Sequence, residues 1–246
     1  VANLGVSSFS PSIYFLKLNE LINQGYTFKE VIVFVDQSDL VDELLCYKFI
    51  GDKIVRRKSF NKCINAGVIN ADEKLKGFFE NYLRLSLEIF ILSKNFLIKK
   101  DILEKKPTSL QINSPRSKWT YQYNKNIYNN FELQEAQKLL INRMDLVHSL
   151  LKENNIEMSL AVYPWPGTLY YDKADNIYLK MWEEFCYKKC KHFFDFNKVF
   201  FNELKKLGTN KVITKYYIEG DFHFNKEGSE IIAGEFLKQY KKINDK

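Results

Sequence analysis

Three histidines, four cysteines and five prolines are all that 246 residues contain of these types. Imidazole chemistry is therefore confined to His148, His192 and His223. The cysteines stand at 46, 63, 186 and 190, and the spacing of the first two matches no zinc-binding pattern. Cys186 and Cys190 are four apart and share a face if helical, so buried free thiols are expected, with one disulfide as the alternative in an oxidising compartment. No run approaches the ~18 apolar residues of a membrane span. No signal-type leader is visible, and since the first residue is Val no compartment is read from it. Internal repeats and low-complexity tracts are absent as well.

What is abundant is lysine. The formal net charge is +7, which invites a nucleic-acid reading, yet the 37 basic residues are spread through the chain and interleaved with 30 acids. That pattern describes a solvated surface, and no nucleic-acid motif accompanies it, so nucleic acid is not an expected partner. The hydrophobic fraction of 46% suffices for a full core, and a single domain over 1–246 is expected, with a helical and loop insertion at about 51–130.

Apolar patterning predicts alternating strands and helices. Residues 1–5 read as a short buried strand and Ser12 to Asn23 as a helix after Pro11. Val31 to Val35 is a continuous β-branched and aromatic run, the pattern of a strand covered on both faces. A helix is expected from Leu40 to about Phe49, then an irregular basic stretch over 51–70 and a long helix over 71–98. Residues 99–130 hold Pro107, Pro115 and several aromatics and read as a long ordered loop or lid. Phe131 to Asn154 is helical, Ile156 to Tyr163 a strand, Asp175 to Lys189 a helix, Phe193 to Phe196 a strand and Val199 to Leu207 a helix. A last helix spans Ser229 to Tyr240. This order predicts an α/β fold, a three-layer α/β/α sandwich with a mostly parallel sheet. Such folds place their chemistry at the carboxyl ends of strands, and the loops 6–10, 36–39, 164–167 and 220–225 all fall there.

The stretch richest in chemistry is Gly220-Asp221-Phe222-His223-Phe224-Asn225-Lys226-Glu227-Gly228. Positions i and i+2 of extended backbone point the same way, so Asp221 can orient His223 as a base. The bland alternative is a turn-capping Asp and a satisfied loop histidine. His148, within an apolar helix, and His192, at the head of a short strand, read as structural. Trp165 in Tyr-Pro-Trp-Pro-Gly either stacks on a sugar at a site rim or packs a turn, and Trp119 in its Tyr-rich loop is a second rim candidate.

Together these residues resemble the SGNH (GDSL-like) hydrolase family over most of the chain. Asn3 to Ser8 resembles the family's second block, Val31 to Asp39 the third, and Asp221-Phe222-His223 with the closing His-Phe-Asn-x-x-Gly the last. The resemblance implies a Ser-His-Asp site in which His223 is the base, Asp221 its orienter, and the Ser8 amide and Ser38 the oxyanion donors. Ser8 stands where the family usually has Gly, and Ser38 where it has Asn. No Gly-Asp-Ser occurs: Gly51-Asp52 precedes Lys53 and Gly220-Asp221 precedes Phe222. Ser7, Ser8 and Ser10 lie on the wrong loop to replace it. The expectation is therefore a longer protein whose upstream first strand, central in the sheet, carries the serine. The implied function is ester hydrolysis or acyl transfer on an acylated carbohydrate, a small molecule or a polysaccharide, with no metal or organic cofactor. The alternative is a non-catalytic SGNH-like module that binds glycans or assists an assembly.

Overall fold

The computed structural model describes residues 2–5, 9–50, 53–56, 84–99, 105–121, 126–127 and 131–244. In chain order the elements are α1 (Pro11–Asn23), β1 (Glu30–Val35), α2 (Asp39–Val41) running into a π-helical turn (Asp42–Cys46), β2 (Tyr47–Ile50), β3 (Lys53–Arg56), α3 (Arg84–Lys99), α4 (Ser109–Ile112), a 3-10 turn (Lys118–Thr120), β4 (Asn126–Ile127), β5 (Phe131–Glu132), α5 (Leu133–Glu153), β6 (Glu157–Val162), α6 (Pro166–Tyr171), α7 (Ile177–Lys189), β7 (Phe193–Asp195), α8 (Asn197–Leu207), α9 (Thr209–Tyr216) and α10 (Lys226–Asn244).

The main sheet has the order β1-β6-β7 and is parallel throughout, with Val33 opposite Leu160 and Leu160 opposite Phe193. Period-two alternation sends its side chains to two faces. Val33, Val35, Met158, Leu160 and Val162 join Leu140, Met144 and Val147 of α5 and Tyr178 and Trp182 of α7 in one buried cluster. Ala161 and Phe194 join Phe196 on the other face, where Ile232, Phe236 and Tyr240 of α10 pack against them. Burial on both faces explains the apolar run of β6, whereas β1 departs from the expected two-sided burial, since Val31 and Ile32 are half-buried and Phe34 is 42% exposed. The fold is thus α/β with a small parallel sheet and helices against both faces, as the alternation of elements predicts. Among the described residues no helix is long and apolar enough to cross a membrane.

Several expectations are corrected. Residues 2–5 form no strand; Ala2, Asn3 and Gly5 are exposed, and the Asn3 side chain accepts the Gly5 amide at 2.9 Å, closing the backbone locally instead of through a ladder. The helix expected to reach Phe49 ends at Cys46, because Tyr47–Ile50 pairs antiparallel with Lys53–Arg56. Helices α6 and α9 add to the expected elements; each is short and begins directly after a break, at Pro166 and after Gly208, whose φ is +81°. Cys186 and Cys190 are disulfide-bonded with Cα atoms 4.5 Å apart, and Cys46 is also in a disulfide, so the free-thiol expectation fails and these sulfurs are not thiolate metal ligands. Of the expected 71–98 helix, 71–83 lies outside the described residues.

Candidate active site

The Asp221/His223 loop is an excursion between α9 and α10, pinned at its base. Tyr217 and Phe224 form an antiparallel bridge, and the Ile218 amide donates to the His223 carbonyl at 3.0 Å. At the tip the Asp221 amide donates to the Ile218 carbonyl at 3.0 Å, with Gly220 at φ +77° in the third turn position. A turn of that kind needs a positive φ there, which glycine adopts without a Cβ penalty.

The motif after His223 is scaffold. Asn225 is the N-cap of α10: its Oδ1 accepts the Gly228 amide at 2.9 Å, and its Nδ2 donates to the Lys215 carbonyl at 2.8 Å. One side chain thus caps the last helix and ties it to the end of α9. Gly228 is buried where a Cβ would lie 2.1 Å from the Tyr216 carbonyl oxygen. The helix start presses on the preceding backbone so closely that only glycine fits.

On this frame Asp221 Oδ1 and His223 Nδ1 stand 2.7 Å apart, as the i, i+2 spacing predicts. The same Oδ1 accepts the Phe222 amide at 2.6 Å and the His223 amide at 3.2 Å. Burial alone would push the Asp221 carboxyl up, but the bonds from the His223 ring, the backbone amides and the imidazole charge together hold it below its ordinary value. Asp221 is therefore a standing carboxylate. With Nδ1 engaged, Nε2 is the nitrogen left for proton transfer.

His223 lines a cleft of about 460 Å³ at the carboxyl ends of β1 and β6. Its walls are mainly apolar, from Phe34, Tyr163, Phe222, Phe224, Ile232 and Phe236, with Asp36 and Ser229 as polar points. Asp36 follows β1 and organises one wall. Its Oδ2 accepts from the Tyr163 hydroxyl at 2.7 Å and the Trp165 indole at 3.0 Å; its Oδ1 accepts the Ser38 amide at 2.8 Å and hydroxyl at 2.6 Å. Burial pushes the Tyr163 hydroxyl well above its ordinary value, and the Asp36 charge adds to that, so Tyr163 stays a neutral donor.

These contacts decide the other expected site residues. Ser38 spends its hydroxyl on Asp36 and does not line the cleft, so it is not aimed as an oxyanion donor. Ser8 and Ser7 lie outside the described residues. Ser10 is buried and donates to Glu43 at 2.8 Å, which removes it as a nucleophile. Trp119 is fully buried, donates to the Gln37 carbonyl at 2.9 Å and meets Tyr178 edge-on; its ring faces are core surface, and the rim role fails. Trp165 does line the cleft, but it is only 2% exposed, with Phe222 stacked on it at 4.2 Å; that stack takes a face a sugar would use. His148 is half-buried on α5, where burial and the charges of Lys189 and Lys152 lower its pKa, and His192 packs against Phe194 and Tyr240.

Sequence reasoning missed the clustering of Phe34, Phe222 and Phe224 around the imidazole, and also Gln111, which donates to the carbonyls of Ile218 at 2.9 Å and Asp221 at 3.1 Å. Phe222 and Phe224 carry a signal as the neighbours of His223 in its motif, and Phe34 as a large ring near the end of a strand that borders a candidate loop; Gln111 carries none. Compared with known proteins, the chain matches no family model, no curated protein and no solved structure.

Proposed function

We propose that the chain carries the acid–base half of an SGNH-like serine ester hydrolase or acyltransferase on a three-layer α/β/α fold. In this reading His223 takes the proton of a serine hydroxyl as that hydroxyl attacks an acyl carbonyl. It then returns the proton to the departing alkoxide, and Asp221 holds the ring and balances the transient imidazolium. The reading requires a serine nucleophile that no Gly-Asp-Ser in these 246 residues supplies. The substrate class is an O-acylated small molecule or polysaccharide. Water or an acceptor hydroxyl resolves the acyl-enzyme.

The observation that carries the reading is the 2.7 Å Asp221–His223 pair at the mouth of a cleft formed where parallel strands end. The test is turnover of a chromogenic acetyl ester, and of acetylated sugars, by the protein isolated from its native source, against its His223→Ala variant. Loss of at least about 1,000-fold in kcat with the fold retained is expected. Retained turnover would sink the assignment. The second reading, a non-catalytic glycan-binding module, is favoured by Ser38 being turned away from the cleft. It predicts sugar binding that His223→Ala leaves intact, with no turnover by either form.

A further inference from the structure

The segment 105–121 joins two loops that border the cleft. At one end Arg116 Nη2 grips both Asp42 oxygens at 2.6 and 2.7 Å, and the Trp119 indole donates to the Gln37 carbonyl at 2.9 Å. Gln37 lies on the loop after β1 that also holds Asp36, and Asp42 opens the π-helical turn that follows α2. At the other end stands Gln111, only 2% exposed, in the single helical turn α4. Between the two, the Tyr121 hydroxyl donates to the Ile112 carbonyl at 3.3 Å, and a Cβ on Gly167 would lie 2.9 Å from that same carbonyl oxygen. The segment is a strap tied down at buried Gln111, Ser114, Ser117, Trp119 and Thr120, with Lys106, Ser109 and Leu110 exposed.

The Gln111 amide has one orientation available to it. A capping box with Thr108 fixes its oxygen, which accepts the Thr108 backbone N–H at 2.9 Å, while the Thr108 hydroxyl accepts the Gln111 backbone N–H at 3.3 Å. The Nε2 must then face away, and it donates to the carbonyls of Ile218 and Asp221. Those two carbonyls bracket the Gly220 turn, and the second belongs to the residue whose carboxylate holds His223. Asp221 and His223 are 40% and 61% exposed in their side chains, so packing does little to place them. A buried side chain bonded to the backbone on both sides of the turn supplies the restraint that burial does not.

We propose that Gln111 is a positioning residue for the Asp221/His223 pair, setting the turn from which Asp221 aims its carboxylate. The inference rests on the acid–base reading of that pair. It is tested with Gln111→Met, which keeps length and removes both donors, and with Lys105→Met, which breaks only the exposed Lys105–Glu219 ion pair on the same loop. The first readout needs no turnover: the imidazole Nδ1–H resonance by NMR in the chain itself. In Gln111→Met that line is expected to broaden and exchange faster with solvent, while Lys105→Met leaves it as in the parent. The second readout is kcat against KM for the acetyl ester with the native-source protein. Gln111→Met is expected to lower kcat by about 10- to 100-fold with KM unchanged, the scale of a misplacement near 1 Å. A folded Gln111→Met protein whose Nδ1–H line and kcat both match the parent overturns the inference. If His223→Ala retains full turnover, the acid–base reading fails, and the Nδ1–H line alone then decides whether Gln111 orders the pair.

Discussion

Glycine 228 offers the sharpest test of how the Asp221/His223 loop is held. An alanine Cβ there would lie 2.1 Å from the Tyr216 carbonyl oxygen, 2.8 Å from Phe224 Cδ1 and 3.0 Å from Phe224 Cβ. The first obstacle is backbone, so no rotamer change relieves it. The start of α10 must move away by about 1.5 Å to reach ordinary contact distance. That displacement strains the Asn225 cap and the 3.1 Å bond from the Asn225 amide to the same Tyr216 carbonyl. Overpacking of this kind costs about 1–3 kcal/mol. Weakening the cap adds about 1 kcal/mol. Alanine's better helix propensity returns about 1 kcal/mol. The net expectation is a loss of about 2 kcal/mol, roughly 30-fold in the unfolding equilibrium. Gly234 in the same helix is the internal control: it is exposed, and a Cβ there would meet nothing within 4 Å. Gly234→Ala should stabilise by about 1 kcal/mol. Urea unfolding of the two variants reads the difference, and a Gly228→Ala protein as stable as Gly234→Ala would refute the close approach.

Asn225→Ala should cost about 1–2 kcal/mol in urea unfolding, since it removes the α10 cap and the tie to the Lys215 carbonyl; an unchanged midpoint would show that the cap does not hold the loop. Asp42 predicts a pH dependence. Burial raises its carboxyl to about 7 in spite of the Arg116 pair, with Asp36 and Glu43 adding to the rise. The folded state then keeps a proton that the unfolded carboxyl releases near ~4, so this contribution is full below that pH and is lost as pH climbs through the folded value. Stability of the parent should therefore fall relative to Asp42→Asn between about pH 4 and 8 by on the order of 1–4 kcal/mol, and parallel curves would refute it. Phe222→Ala uncovers the stacked face of Trp165, so indole fluorescence should become more accessible to acrylamide; unchanged quenching would mean that the stack does not shield the ring.

How much of this is legible in the chain depends on where each residue gets its instructions. The parallel sheet is legible because Met158 to Val162 is buried on both faces and Val31 to Val35 is covered on one face and partly on the other, so both stretches are apolar apart from Ser159. The Asp221/His223 contact is legible because two residues on one short loop need only local geometry to meet. Residues 2–5 depart from the expected strand for the complementary reason: a short start holding Val1, Ala2 and Leu4 is a strand only if a neighbour supplies the ladder, and sequence does not show the neighbour. Trp119 and Ser38 depart from their expected roles because those roles are set by partners distant in sequence or by a turn. The Trp119 indole seeks a carbonyl 82 positions away, and the Ser38 hydroxyl folds back onto Asp36.

Gln111 marks the same boundary from the other side. Nothing in Thr108-Ser-Leu-Gln111 beyond a capping-box pattern distinguishes it from any short helix start, because the groups that give it meaning are backbone carbonyls 107 and 110 positions later. Backbone acceptors carry no side-chain identity, so no pattern of residue types could reveal them. The exposed Asp221/His223 pair is in this respect the less informative half of its own site. Its i, i+2 spacing is plain in the sequence, while the restraints on its loop are contributed by Asn225, Gly228 and Gln111, through contacts with main chain. Substitutions at those three positions therefore separate a working acid–base pair from a loop histidine that happens to sit beside an aspartate: a pair under selection for geometry needs the restraints, and a bland turn does not.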